Sequence, residues 1–444
     1  DKVFVSASEV DANGNFSATY TIYVINPGAS AGIYNLVDTP NPDTNVTVNG
    51  ATVSGYTNLS FVGAGPYVLA TNETIAAMST NIYSLTLDLT LSSNVLNGFS
   101  EVSLCGGTNG IYEAGEGLFN EVTAFGNVGT NYLEITTNDC GNIPPFILID
   151  KTFVDASEAD ASGLFSATYQ ITVRNVGGNT GLYDLDDTPG FDTNITVIGA
   201  AVSGQYTTNY AGAGPYALAN GASIGAGDTH TYSLVITGQL SLAQISGIIS
   251  VTECEEVSGS YVSGRGLFNE ATVTYGTNDT TITTNDCGNV PPFILVDKTF
   301  VSASEPDANG DFSATYTITV QNAGATDGTY DLTDLPQPDT NVTVNGAAIS
   351  GQFVTNYTGA GPYTLATGTA ITAGDSHSYT LVLDLTLQSQ VLNGSVDVSL
   401  CGAEDGSYQS GEGLFNEVTL VYGTNDTTIT TNDCGNVPPF ILVD

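Results

Sequence analysis

Apolar and polar residues alternate along this chain in short runs. Phe312-Ser313-Ala314-Thr315-Tyr316-Thr317-Ile318-Thr319-Val320 holds a period of two, the pattern of a strand with one face buried and one in water. Residues 378–387 form the longest clean alternation in this part of the chain. Shorter strands are predicted over residues 298–304, 329–332, 341–344, 362–365, 396–400, 414–422 and 427–431. Gly, Asp and Pro separate them, and Pro306-Asp307-Ala308-Asn309-Gly310 carries an Asn-Gly reverse-turn signal. No stretch sustains a 3.6-residue period. A short helical turn is expected around Gln388 to Asn393 and at the matching place elsewhere, although the segment from Gln239 to Ile248 has a different pattern. Eight to ten short strands divided by turns predict a β-sandwich.

The whole pattern occurs three times. Asp1-Lys2-Val3-Phe4-Val5 returns as Asp150-Lys151-Thr152-Phe153-Val154 and as Asp297-Lys298-Thr299-Phe300-Val301, and residues 275–297 are identical to residues 422–444. A period near 147 residues is long enough for each copy to bury its own core. The expected organisation is all-β: modules over residues 1–149, 150–296 and 297–443, with Asp444 opening a further copy. Between copies runs Pro-Pro-Phe-Ile-Leu-Ile/Val. Two prolines stiffen the backbone, and the apolar run that follows must be buried, so the junctions are expected to be rigid and the array an extended rod.

Charge narrows the function. Against 46 acidic residues stand 5 basic ones, a net charge of −41. Binding to nucleic acid is excluded on this ground, because phosphate neutralisation needs clustered Lys and Arg. Attraction to an anionic membrane surface is disfavoured for the same reason. No membrane-inserting segment is found, and the partners that remain are basic groups, divalent cations, like modules of a longer chain and neighbouring chains in a filament. The six cysteines fall two per copy: Cys105 with Cys140, Cys254 with Cys287, Cys401 with Cys434. One pair per copy at a repeated spacing predicts one disulfide inside each module and an oxidising compartment. Structural zinc wants four thiolate or imidazole ligands, and no copy supplies them.

The order Lys-Thr, a Tyr-Thr-Ile-Thr-Val strand, Tyr-Asp-Leu-x-Asp, Gly-Leu-Phe-Asn-Glu and Asp-Cys-Gly resembles the Ig-like conserved repeat domains of large bacterial cell-surface proteins and adhesins. The second copy carries it at Tyr183-Asp184-Leu185 with Asp187 and from Gly266 to Glu270. The third has Tyr330-Asp331-Leu332 with Asp334, and the first departs slightly as Tyr34-Asn35-Leu36 with Asp38. The resemblance implies an Ig-like sandwich and an extracellular location, and it brings no catalytic residues.

Four groups of residues are candidates for chemistry. The turn Glu-x-Asp-x-Asn/Ser-Gly occurs at Glu9, Asp11 and Asn13, at Glu158, Asp160 and Ser162, and at Glu305, Asp307 and Asn309. Alternate oxygen ligands ahead of a glycine are similar to half of an EF-hand loop. The position for its bidentate Glu, however, holds Tyr20, Tyr169 or Tyr316. A simpler calcium site and a solvated Asn-Gly turn are the two readings. The pairs Asp38 with Asp43, Asp187 with Asp192 and Asp334 with Asp339 are read as loop-shaping Asx-turns, not as glycosidase carboxylates. Lys2, Lys151 and Lys298 are the basic residues present in every copy. They are expected to form a partly buried ion pair at the junction, or a lysine–asparagine isopeptide bond with Asn120, Asn269 or Asn416 and the adjacent Glu as proton shuttle. His230 and His377 match Asn81, so they form no site common to all copies. Together these readings favour a structural array, the stalk of a secreted bacterial surface filament or adhesin, over a calcium-dependent adhesive array that binds carbohydrate or a partner cell. No enzymatic constellation emerges.

Overall fold

A computed structural model describes residues 1–107, 111–128, 131–240, 250–402 and 408–441. The first copy is built from β1 (Lys2–Ala7), β2 (Asn15–Asn26), β3 (Gly32–Pro40), β4 (Val46–Gly55), β5 (Leu59–Val62), β6 (Tyr67–Ile75) and β7 (Ser79–Leu91). A one-turn helix α1 (Ser93–Leu96) follows, and β8 (Asn120–Val128) and β9 (Asn131–Asp139) complete it. Hydrogen bonding orders them as a five-stranded sheet β1-β2-β7-β4-β5 and a four-stranded sheet β6-β3-β8-β9, with antiparallel pairing throughout. The other copies repeat both strand orders, and the second adds the small ladder Glu256–Val257 with Ser260–Tyr261. The fold is therefore all-β, built of β-sandwich modules.

Alternation explains the strands. Along β2, Phe16, Ala18, Tyr20 and Ile22 are buried, and along β7 so are Tyr83, Leu85, Leu87, Leu89 and Leu91. Successive side chains of a strand point to opposite faces, so each sheet turns one apolar face inward. A core sandwiched between the two sheets results.

Several strands run further than their patterns suggest. The strand Val342–Gly351 continues through Asn345-Gly346, which reads as a turn in sequence. A register shift between Val344 and Gly346 shows a β-bulge instead, and a Cβ on Gly346 would lie 2.4 Å from the Tyr357 carbonyl oxygen. Glycine is required there because the neighbouring backbone comes too close for any side chain. The edge strand Thr355–Thr358 has no clear alternation to announce it. Residues 396–400, expected as a strand, pair with no neighbour. The helical turn is present at α1 and at Ser389–Leu392; its place in the second copy and Asp444 lie outside the described residues.

One tyrosine per copy ties the two halves of the sandwich. The hydroxyl of Tyr20 donates to the Leu118 carbonyl, Tyr169 to Leu267 and Tyr316 to Leu414, all buried. Losing the donor strands a carbonyl away from water, at a cost of about 1–3 kcal/mol. Tyr169→Phe is expected to lower the melting temperature of the second copy by several degrees and leave the other transitions in place, as calorimetry would show.

Candidate functional site: a buried lysine, aspartate and asparagine in each copy

The site grows from strand parity. Tyr34, Leu36 and Asp38 occupy alternate positions of β3, so the face that buries Tyr34 and Leu36 also buries Asp38. Register pairs Asp38 with Val122 and Pro40 with Asn120, which places the first residue of β8 beside the aspartate in the same sheet. Lys2 starts β1 in the other sheet, opposite Ile22, and reaches across the core. Its Nζ contacts Asp38 Oδ1, and neither side chain has any solvent exposure. The Tyr20 ring lies 4.9 Å from the same nitrogen, a cation–π distance. Lys151 with Asp187 over Tyr169, and Lys298 with Asp334 over Tyr316, repeat the arrangement.

Burial dominates the electrostatics. Loss of water pushes the Lys2 ammonium down to about 8 against the opposing pull of Asp38, and pushes the Asp38 carboxyl up against the pull of Lys2. The pairs Lys151 with Asp187 and Lys298 with Asp334 move in the same directions for the same reasons. Opposed shifts bring the proton affinities of amine and acid toward each other. Asn120, Asn269 and Asn416 are completely buried. Each lies close enough to its aspartate to favour the charged carboxylate, yet neither amide atom makes a hydrogen bond of good geometry. The second oxygen of each aspartate is likewise unpartnered.

These positions differ from the expectations in two respects. The lysine lies inside each sandwich, fully buried, rather than partly buried between modules. Its partner is the aspartate read as loop-shaping, and the Glu next to each asparagine is not what it touches. Parity along the Tyr-x-Leu-x-Asp strand is the signal that places this aspartate in the core. The second aspartate does shape its loop. Asp43 accepts from the Asn45 backbone at 2.6 Å and the Ser103 backbone at 2.7 Å, tying down the coil that leads to Cys105. Asp192 and Asp339 act alike on Thr252 and Ser399.

The acidic turns form contacts between copies. Glu9 accepts backbone N–H groups of Thr277 at 2.6 Å and Asn278 at 3.1 Å, at the tip of a second-copy hairpin. Glu158 repeats this on Thr424 and Asn425 of the third copy, and Glu305 is exposed. Asp11 is occupied locally, taking the N–H of Asn13 at 2.9 Å and of Asn15 at 2.8 Å; Asp160 and Asp307 do the same. Glu and Asp of one turn therefore serve different partners, with Asn13, Ser162 and Asn309 as turn residues. Among the described residues no group of three or more His, Cys, Asp or Glu is arranged to hold a metal ion.

Ahead of the proline segment of each copy lies a disulfide: Cys105–Cys140, Cys254–Cys287 and Cys401–Cys434, with Cα separations of 6.0, 5.9 and 5.9 Å. Asp139 accepts both the Cys140 N–H at 2.9 Å and the Phe4 N–H at 2.6 Å, so the second cysteine is tied to β1. From there the linker enters the next copy. Phe146 and Ile147 are buried, and the Val176 N–H donates to the Phe146 carbonyl at 2.9 Å. A Cβ on Gly177 would lie 2.3 Å from the Pro144 oxygen, so the loop after Asn175 and the proline segment touch backbone to backbone.

No family model and no curated protein matches the chain. Among solved structures it is similar to the B domain of a biofilm-associated protein, at 11% identity and a TM-score of 0.17 over 64% of this chain and 84% of that one. A BSP domain of a biofilm-associated protein gives 8% and 0.16, over 99% and 96%. The exo-chitosanase CsxA of Amycolatopsis orientalis gives 10% and 0.18, over 68% of this chain but only 27% of that enzyme. Superpositions this loose carry no functional argument.

Because backbone donors already fill the acidic turns, excess chelator is expected to leave the melting curve unchanged; a fall in melting temperature would show a bound ion. The Glu9 contact is pH-dependent. The Thr277 and Asn278 N–H groups hold its carboxyl below the ordinary glutamate value, which is about 4.3. The contact therefore contributes fully above that value and is lost as pH falls through the depressed one. Glu9→Ala with Glu158→Ala is expected to broaden the distribution of distances between spin labels on adjacent copies at neutral pH. The wild-type chain should show the same broadening at the first junction only in acid.

Proposed function

We propose that this chain is a load-bearing segment of a secreted bacterial surface filament or adhesin, in which repeated sandwiches form a stiff stalk. One observation carries the reading: the two junctions are built alike. In each, a glutamate of one copy caps the hairpin tip of the next, and the intervening Pro-Pro-Phe segment hydrogen-bonds to the loop after the next copy's second strand. Flexible tethers need no such contacts. A chain that repeats them holds a constant angle from copy to copy, which is what a stalk requires.

Other features support it. Three disulfides suit an oxidising space outside the cytoplasm. No helix among the described residues is long and apolar enough to cross a membrane. The buried Lys–Asp–Asn groups open to no solvent, so they offer no access to a substrate from outside.

Small-angle scattering tests the reading. The longest strand has 13 residues, and at roughly 3.3 Å each a sandwich is about 43 Å long. Three in line form a rod of about 120–150 Å, with a radius of gyration near 35–45 Å by the same rise. A compact globule of this length would give about 22 Å. The rod value is expected, and the globule value would refute the stalk. Imaging of the native assembly would then show whether chains stand alone or lie side by side.

A further inference from the structure

We propose that Lys2 and Asn120, Lys151 and Asn269, and Lys298 and Asn416 are joined in the mature protein by amide bonds from lysine Nζ to asparagine Cγ. Asp38, Asp187 and Asp334 act as the proton shuttles. The inference rests on the geometry inside each copy and stands whether or not the chain serves as a stalk.

Three observations converge. The first is the asparagine. A fully buried amide with no hydrogen bond of good geometry on either polar atom is rare in folded proteins, and each instance needs an explanation. Here it occurs three times, at one equivalent position. The second is the amine. Each lysine lies against an aspartate and a tyrosine ring with no exposure to water, and the loss of water favours the uncharged nucleophile against the pull of the carboxylate. The third is the acid. Asp38 neighbours both reactants, in contact with the lysine Nζ and beside the Asn120 amide, and burial raises its proton affinity so that it can carry a proton in either direction.

The step balances without a cofactor. The Nζ lone pair forms a bond to the asparagine Cγ, and the carboxyl group protonates the amide oxygen. The aspartate then takes a proton from the new C–N nitrogen and delivers one to Nδ2. As the tetrahedral centre collapses, its hydroxyl proton returns to the aspartate, the Cγ–Nδ2 bond breaks and ammonia leaves. Carbon keeps its oxidation state, the aspartate returns to its starting form, and one ammonia is lost per copy. The product is a neutral secondary amide, so the buried ammonium disappears and the orphaned amide is consumed. Asparagine is the electrophile because its amide is neutral, whereas an ionised carboxylate repels a nucleophile. The Glu beside each asparagine is not needed as shuttle, since the aspartate already touches the lysine.

Placement gives the bond its consequence. Lys2 lies in the five-stranded sheet and Asn120 in the four-stranded one, so the cross-link sews the two layers together. It closes a loop from residue 2 to residue 120, and the same span recurs from 151 to 269 and from 298 to 416. A pull on the ends of a copy would then extend only the chain beyond that asparagine.

Intact-mass measurement of the full chain, denatured and with disulfides reduced, decides it. Each bond removes one ammonia, about 17 Da, so the expected mass is about 51 Da below that of the sequence. A mass equal to the sequence mass overturns the proposal. A deficit of about 54 Da would mean loss of water and a lysine–aspartate bond, which overturns the assignment to asparagine. Asn269→Ala and, separately, Asp187→Ala are each expected to reduce the deficit to about 34 Da, and a full deficit in either overturns that residue's role. Because a variant can misfold, the wild-type digest is the independent measurement. The peptides holding Lys151 and Asn269 should be recovered as one branched species, and their recovery as separate unmodified peptides would overturn the bond.

Discussion

Each sandwich is organised around a charged group that it hides from water. Burying an ammonium and a carboxylate is costly unless the two meet with good geometry, and Lys2 and Asp38 are contributed by different sheets. The pair therefore fixes how one sheet lies on the other. A slip of one residue in β1 or β3 would turn Lys2 or Asp38 to the outer face and leave its partner uncompensated in the core. Other cross-sheet contacts follow from that alignment. Tyr20 can bond the Leu118 carbonyl, and Phe4 can pack edge-on against Tyr20 at 5.5 Å while covering Gly141, where the linker begins.

The acidity of the chain takes on a structural sense. With only 5 basic residues available, carboxylates cannot be satisfied by salt bridges, and most of those with a structural role accept backbone N–H groups instead. Asp11 closes its turn, Asp43 holds the coil before the cysteine, Asp139 ties the cysteine to β1, and Glu9 caps the neighbouring hairpin. Backbone donors are present at every turn, so an acidic side chain can organise a loop without a cation beside it. Net charge remains strongly negative at −41, a source of repulsion between like arrays.

Variation among the copies respects the same bonds. Asn81 donates to the Tyr34 hydroxyl at 2.9 Å, and in the other copies His230 and His377 meet Tyr183 and Tyr330 at 2.8 Å from Nδ1. Asparagine and histidine differ in chemistry but present a nitrogen at one distance from the backbone. The first copy departs most at its leading end. Pro27 stands where Val176 and Ala323 donate to the linker carbonyl, and Gly126 where the other copies have Tyr275 and Tyr422, the latter donating to the Ala159 carbonyl at 3.4 Å.

Sequence alone determined the class of fold, the threefold repeat and the cysteine pairs, because alternation, period and spacing are local properties that a strand cannot disguise. It also singled out the lysine as the cation common to every copy. It did not reveal what that lysine meets. Asp38 sits in a loop-like run of Asp, Thr, Pro and Asn that hides its parity with Leu36, and only the pairing of β3 with β8 brings Asn120 beside it. The acidic turns likewise read as isolated ligand sets, since the N–H groups that fill Glu9 lie 268 residues away. Carboxylates select partners by distance in space. That distance is set by how sheets pack and how copies abut, and a linear pattern does not contain it.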